Sequence, residues 1–102
     1  MSVEKVLDTL NIENVGHYED DGKKYIIELE TSDEFSNLYS KLDSSDIVSL
    51  EDNNLISETL WLLVYTFDNY YLKLIANSEK DSYKLVITTE EETEEIKEWK
   101  ER

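Results

Sequence analysis

The residue types that most often carry catalysis are scarce in this chain. His17 is the only histidine, and there is no cysteine. A Ser-His-Asp arrangement would need a nucleophile motif, and none accompanies His17, which lies beside a predicted hairpin turn. The lack of cysteine excludes disulfides, thiolate chemistry and cysteine-based zinc sites. The sequence therefore predicts no catalytic residue and a chain that is not an enzyme.

Two groups of carboxylates have spacings that partly resemble those of metal or nuclease sites. The segment "EDDGK" at 19–23 has three acids before a glycine. An EF-hand loop needs acids at alternating positions, a glycine at the sixth and a later bidentate glutamate, and this spacing is absent. Glu28 and Glu30 alternate along a predicted strand, as the acids of a nuclease site can, but no acid-x-Lys element follows. We therefore expect no metal and no cofactor.

Net charge is the feature that limits the possible partners. Twenty-five acids against ten basic residues give the chain a formal charge of -15. Such a surface repels phosphates and anionic lipids and attracts cationic surfaces, so we expect no direct nucleic-acid or membrane binding. The N-terminus does not resemble a signal peptide, and the apolar run from Leu60 to Tyr65 is far below the roughly 20 residues that span a bilayer. The expected location is the cytoplasm of a bacterial host cell.

The acids are concentrated in the middle of the chain. Residues 25–72 contain ten acids and one basic residue, Lys41, a net of -9. Acids two apart on a strand are roughly 6.6 Å apart, and acids three or four apart on a helix roughly 5 to 6 Å. This charge density is of the same order as that of nucleic-acid phosphates. The candidate partner-binding residues are Glu28, Glu30, Asp33, Glu34, Asp43, Asp46, Glu51 and Asp52.

This distribution favours a small acidic inhibitor that acts as a nucleic-acid mimic. It would bind the cationic surface of a nucleic-acid-binding protein or nuclease, as phage-type counter-defence factors such as anti-CRISPR and anti-restriction proteins do. One alternative is a toxin-immunity protein that neutralises a basic nuclease. Others are a non-enzymatic acidic adaptor, for instance a homodimer formed through a sheet edge, and an acidic domain with no such partner. The sequence leaves the oligomeric state open, as it does the roles of Trp61 and Trp99.

The apolar periodicity predicts two helices before residue 46. Ser2 is suited to cap the first helix, and Thr31 with Glu34 fits a capping box at the start of the second. The apolar residues of each helix recur at helical spacing, which indicates one buried stripe. These stripes are Val3, Val6, Leu7 and Leu10 in the first helix, and Phe35, Leu38, Tyr39 and Leu42 in the second.

The remaining segments predict strands. "NVGHY", the turn "EDDG" and "KKYIIELE" indicate a hairpin with Tyr25, Ile27 and Leu29 on one face. Residues 47–58 indicate either a short hairpin, with "EDNN" between its strands, or a bent edge strand. "TLWLLVYTF" is apolar on both faces, so it predicts a central strand covered on both sides. With "YYLKLIA" and "YKLVITT" it forms a predicted antiparallel meander over 59–89.

The C-terminal segment "TTEEETEEIKEWKER" predicts a closing helix. Acids lie at its start and basic residues at its end, as the helix macrodipole favours, and Ile96 and Trp99 share a face that we expect to dock on the sheet. The sequence thus predicts one α+β domain over 1–102. Its antiparallel sheet has about four to five strands, with two to three helices packed on it.

Overall fold

The fold is an antiparallel sheet with helices packed on it. The computed structural model describes residues 2–13, 16–19 and 22–90. Within these ranges lie α1 (Val3–Thr9), β1 (His17–Glu19), β2 (Lys24–Leu29), α2 (Ser32–Asp43), β3 (Ser49–Leu55), β4 (Leu60–Phe67), β5 (Tyr70–Asn77) and β6 (Ser82–Thr88).

The strands form one sheet in the order β1-β2-β6-β5-β4-β3, and every neighbouring pair is antiparallel. The α+β class is confirmed. The expected number of about four to five strands matches only roughly, because the described residues form six. Two helices lie within the described residues. The predicted third helix falls largely on residues 91–102, outside them.

Both helices begin where their capping residues predict. The Ser2 side chain accepts a hydrogen bond from the Lys5 backbone N at 3.3 Å at the start of α1. At the start of α2, the Thr31 hydroxyl accepts one from the Glu34 backbone N at 3.2 Å. Each cap satisfies an amide that the helix itself cannot pair. The predicted stripe of α2 is confirmed, with Phe35, Leu38 and Leu42 buried and Tyr39 packed at the edge of the core.

The hairpin and the meander are also confirmed. β1 pairs with β2, and β4, β5 and β6 follow one another as neighbours. Gly16, just before β1, donates its amide to the Tyr25 hydroxyl at 2.9 Å, and a Cβ there would overlap the Ile26 carbonyl oxygen. The turns of the meander contain Asp68 (φ 57°) and Asp81 (φ 51°). Aspartate tolerates this left-handed conformation better than most residues, which suits it to these tight turns.

β3 is the strand that the sequence left undecided. It is a single edge strand paired with β4, so the bent-edge-strand alternative is confirmed and the short hairpin is wrong. The polar segment "EDNN" lies inside β3, where Asn53 pairs with Leu63 and Asn54 with Leu62. Pairing with the apolar β4 outweighs the turn preference of these polar residues, and an edge position lets their side chains reach solvent.

The sheet is buried on both faces. One face, the helix face, packs α1 and α2 against Ile27, Leu63, Leu74 and other buried residues. The opposite face, the second face, has its own cluster of Ile26, Leu60, Leu62, Val64, Ile75 and Val86. This confirms that β4 is covered on both sides. However, β4 lies next to the edge strand β3, so its predicted central position is wrong, and β5 and β6 occupy the middle of the sheet.

The second face also contains a buried lysine. Lys73 is 0% exposed and pairs across the sheet with Val64 and Val86. Its Nζ donates to the Glu90 carbonyl oxygen at 3.0 Å and lies 5.9 Å from the centre of the Tyr71 ring. A buried ammonium needs such partners, because it has lost its hydration. Lys73 alternates along β5 with Leu72 and Leu74 of the helix face, but nothing in the local sequence predicts its burial.

No described helix has the length and apolar character that crossing a membrane would require.

Candidate protein-binding surfaces

The eight candidate acids fall into two groups rather than one surface. Four lie where β2 ends and α2 begins, the α2-start group, and four lie between the end of α2 and the middle of β3, the β3-edge group. β2 and β3 are separated by four strand spacings in the sheet order, about 19 Å at ~4.8 Å per spacing. The α2-start group is Glu28, Glu30, Asp33 and Glu34, and the β3-edge group is Asp43, Asp46, Glu51 and Asp52.

Local helix chemistry accounts for part of the α2-start group. The Glu34 carboxylate accepts a hydrogen bond from the Glu30 backbone N at 2.6 Å, which completes the cap together with Thr31. Asp33 lies in the first turn of α2, where a negative charge is favoured by the macrodipole. Glu28 is exposed on β2 and lies directly opposite Lys84 on β6. Stabilisation of α2 therefore explains Asp33 and Glu34 without a partner.

Hydrogen bonds to β4 position two acids of the β3-edge group. Asp43 is the last residue of α2, and its carboxylate accepts a hydrogen bond from the Tyr65 hydroxyl of β4 at 3.4 Å. Asp46 is exposed in the turn that follows α2. Glu51 accepts a hydrogen bond from the Thr66 hydroxyl at 3.3 Å, so its carboxylate is held against β4.

A β-bulge determines how the acids of β3 are arranged. The register passes from Leu50 opposite Tyr65 to Asp52 opposite Val64, so Glu51 is the extra residue. In a regular strand, consecutive side chains point to opposite faces. Here the Glu51 carboxylate reaches Thr66, and Asp52 lies opposite Val64 of the second face. Thr66 is two residues from Val64 on β4, so it lies on the same face. The bulge thus places two consecutive acids on the same side of the strand.

Three acids of the β3-edge group, Asp43, Asp46 and Glu51, form no salt bridge with a basic residue in the described ranges. The ion pair found within those ranges joins His17 Nε2 and Glu19 Oε1, 3.9 Å apart, at the opposite edge of the sheet. Lys41, the basic residue nearest in sequence, directs its Nζ to the backbone oxygen of Asn11. Asp43, Asp46 and Glu51 therefore present negative charge that a cation from outside could approach.

Apolar side chains are exposed beside these acids. Ile47 is 52% exposed, Leu50 48% and Leu55 70%. Among the residues that the structure describes, the other large hydrophobic side chain that is exposed is Tyr18, in β1. Sequence reasoning did not identify these residues as surface residues, because their apolar pattern predicts a strand and does not say which strand lies at the edge.

Trp61, whose role the sequence left open, packs between α2 and β3. Its ring centroid lies 5.8 Å from that of Phe35 and 5.5 Å from that of Tyr39. Its indole Nε1 donates to the Asn53 side-chain oxygen at 2.6 Å. Trp61 therefore joins β3 to the helix face instead of serving as an exposed contact. Trp99 lies outside the described residues.

We expect Tyr65 to make stability fall at high pH. Its burial, followed by the negative charge of Asp43, raises the pKa of Tyr65 from 10.0 to about 12. The folded chain thus keeps this proton over a pH range in which the unfolded chain loses it. The stabilisation of the fold that arises from this raised pKa is fully present below about pH 10 and is lost as the pH rises through 12.

The variant Tyr65→Phe isolates this effect. It loses the hydrogen bond to Asp43 and should be less stable than the parent at pH 8, by about 0.5 to 1.5 kcal/mol. That deficit should shrink between pH 10 and 12, because phenylalanine has no proton to lose. Urea unfolding of both proteins at pH 8, 10 and 11 measures it, and a deficit that is constant across these pH values would contradict the assignment.

No cluster of three or more potential metal-ligating side chains occurs in the described parts of the chain. No protein-family model, curated protein or solved structure matches the sequence or the fold. The surface chemistry of the two acidic groups is accordingly the basis for assigning a function.

Proposed function

We propose that this protein is a small inhibitor that binds the cationic nucleic-acid-binding surface of another protein. The observation that carries the proposal is a set of three exposed acids of the β3-edge group, Asp43, Asp46 and Glu51, which form no salt bridge within the described ranges. Hydrogen bonds to β4 hold Asp43 and Glu51 in place. A cationic groove that normally holds phosphates would supply the missing countercharge.

The repulsion between these like charges supports a binding role, because it destabilises the fold. Like charges that are held close together oppose the compact state, and a domain that only needs to be soluble usually intersperses both signs. The side chains of Asp43 and Glu51 are already oriented by hydrogen bonds to Tyr65 and Thr66. A partner would therefore lose less free energy to ordering them on binding.

The mechanism is competitive occlusion. The net charge of -15 attracts a basic partner over long distances and raises the rate of association, while local contacts decide which groove is occupied. The partner class is a DNA- or RNA-binding enzyme, such as the CRISPR or restriction effectors against which phage-type counter-defence factors act. A basic nuclease toxin fits the same chemistry, and the identity of the captured protein distinguishes the two.

The first experiment is capture of the partner from a bacterial lysate on the tagged protein. The resin is washed at about 0.1 M salt and then at about 0.5 M, where attraction between exposed charges is strongly screened. We expect a nucleic-acid-binding protein to stay through the first wash and to leave in the second. A partner without nucleic-acid function that resists 0.5 M salt, or the absence of any partner from lysates of cells that carry such effectors, would contradict the proposal.

A further inference from the structure

β3 has an outer edge that no other described strand covers. It is the last strand in the sheet order, it is seven residues long, and it pairs with β4 alone among the described strands. The opposite edge strand, β1, has three residues. An uncovered edge presents backbone N–H and C=O groups that can pair with a strand from another chain. β3 is therefore the longer of the two available edges.

The two sides of β3 differ chemically. Leu50 lies opposite Tyr65 and Leu55 opposite Trp61, so both exposed leucines project on the side of the helix face. Glu51 and Asp52 lie on the other side, because of the bulge. The edge thus combines apolar side chains on one side with acids on the other.

Protection against aggregation does not explain this combination. Charged residues and a bulge are devices by which edge strands avoid pairing, and β3 has both. A protected edge would not also expose large apolar side chains, yet Leu50 is 48% and Leu55 70% exposed. Protection of the edge therefore leaves the exposure of Leu50 and Leu55 unexplained.

We propose that β3 binds an extended segment of a basic partner protein as an additional strand of the sheet. This rests on the proposed function, and it specifies how the partner is bound. The segment carries lysine or arginine residues on the side that faces Glu51. Its alternate residues are apolar and face Leu50 and Leu55. Backbone pairing contributes affinity, and the alternation of basic and apolar side chains provides specificity.

A second copy of this chain is a poorer occupant. In an antiparallel pair of two β3 strands, each face of the sheet continues into the same face of the other copy. The acids Glu51 and Asp52 of the two copies would then share one side of the pair, and like charges on opposing strands are destabilising. Each copy also has a net charge of -15, which opposes their approach.

The test uses a synthetic peptide with the sequence Lys-Val-Arg-Val-Lys-Val-Arg, blocked at both ends. A second peptide with glycine in place of valine has the same charge but a low preference for strands. Binding to the ¹⁵N-labelled chain at about 0.05 M salt is followed by NMR, at an ionic strength where charge attraction is only partly screened. We expect the valine peptide to bind at least about tenfold more tightly and to shift the amides of Ser49–Leu55. Equal binding of both peptides, or shifts confined to other strands, would overturn the proposal.

A charge-neutral variant separates strand addition from simple charge attraction. The double substitution Leu50→Ser and Leu55→Ser keeps every acid and removes one half-exposed and one largely exposed side chain, so the fold should persist. It should weaken binding of the valine peptide about tenfold and leave the glycine peptide unaffected. Leu55→Ser alone, at the more exposed position, serves as a milder variant, and circular dichroism checks the fold of each.

Two further outcomes distinguish the alternatives. A dimer of the parent chain in sedimentation experiments that is lost in the double variant would assign the edge to a second copy and overturn the proposal. If the double variant instead captures the lysate partner as well as the parent does, while capture remains sensitive to salt, the proposed function stands and the strand-addition mode is wrong.

Discussion

Reversing two charges of the β3-edge group is expected to weaken binding to the captured partner at least about 100-fold. The double variant Asp46→Lys and Glu51→Lys places two cations where the partner's basic residues would contact the chain. Both side chains are exposed, so the fold should tolerate the substitutions. The loss arises from missing local contacts and from new repulsion between like charges, and it should appear mainly as faster dissociation.

The α2-start group offers a matched control. The double variant Glu28→Lys and Glu30→Lys changes the net charge by the same amount, also at exposed positions. Because long-range attraction depends on the total charge, this variant should slow association and weaken binding less than about tenfold. Surface plasmon resonance at about 0.1 M salt measures both variants. Equal losses would show that total charge alone controls binding, and a larger loss in the control would move the binding surface to the start of α2.

Replacement of the buried Lys73 by alanine is expected to destabilise the fold by about 2 to 5 kcal/mol, as for buried aliphatic side chains of similar length that are reduced to alanine. Its side chain is 0% exposed, and its Nζ donates to the Glu90 carbonyl oxygen at 3.0 Å. The substitution leaves a cavity on the second face between Val64 and Val86 and removes a hydrogen bond from a charged donor. Urea unfolding, followed by far-ultraviolet circular dichroism, measures the change.

Two companion variants define the origin of this loss. Lys73→Met keeps most of the packing and removes the charge, so its stability should lie between those of the parent and Lys73→Ala. Lys80→Ala removes an exposed lysine from the turn between β5 and β6 and should change stability by less than about 0.5 kcal/mol. A loss below about 1 kcal/mol for Lys73→Ala would contradict the structural role of this lysine.

Local signals in the sequence predicted most of the elements. The capping residues Ser2 and Thr31 identified the starts of both helices. The helical spacing of apolar residues identified the buried face of α2. These signals depend on interactions within a few residues, so the complete fold retains them. What they do not contain is the order of strands in the sheet, which depends on contacts between distant segments.

The wrong predictions arise because local signals do not contain the order of the strands. The polar run Glu51–Asn54 has the composition of a turn, but pairing with β4 makes it the middle of a strand. Lys73 alternates with apolar residues as a surface lysine would, yet the second face is covered and the lysine is buried. Exposure of Leu50 and Leu55 depends on β3 being at the edge. In each case a tertiary contact, invisible in the local sequence, decides the outcome.

The candidate site was predictable only as a list of acids. Their concentration between residues 25 and 72 is a property of the sequence, and so is the capping box that contains Glu34. The division of the acids into two groups cannot be read from the sequence, because it depends on the path of α2 across the helix face and on the position of β3. The bulge at Glu51 likewise has no sequence signal that we can identify.

Competition with nucleic acid tests the central claim most directly. The captured partner is purified, saturated with a fluorescently labelled DNA or RNA that it binds, and titrated with this protein while the fluorescence anisotropy is followed. We predict complete release of the nucleic acid, at protein concentrations that rise in proportion to the concentration of nucleic acid. A ternary complex, in which the nucleic acid stays bound while this protein also binds, would contradict the account.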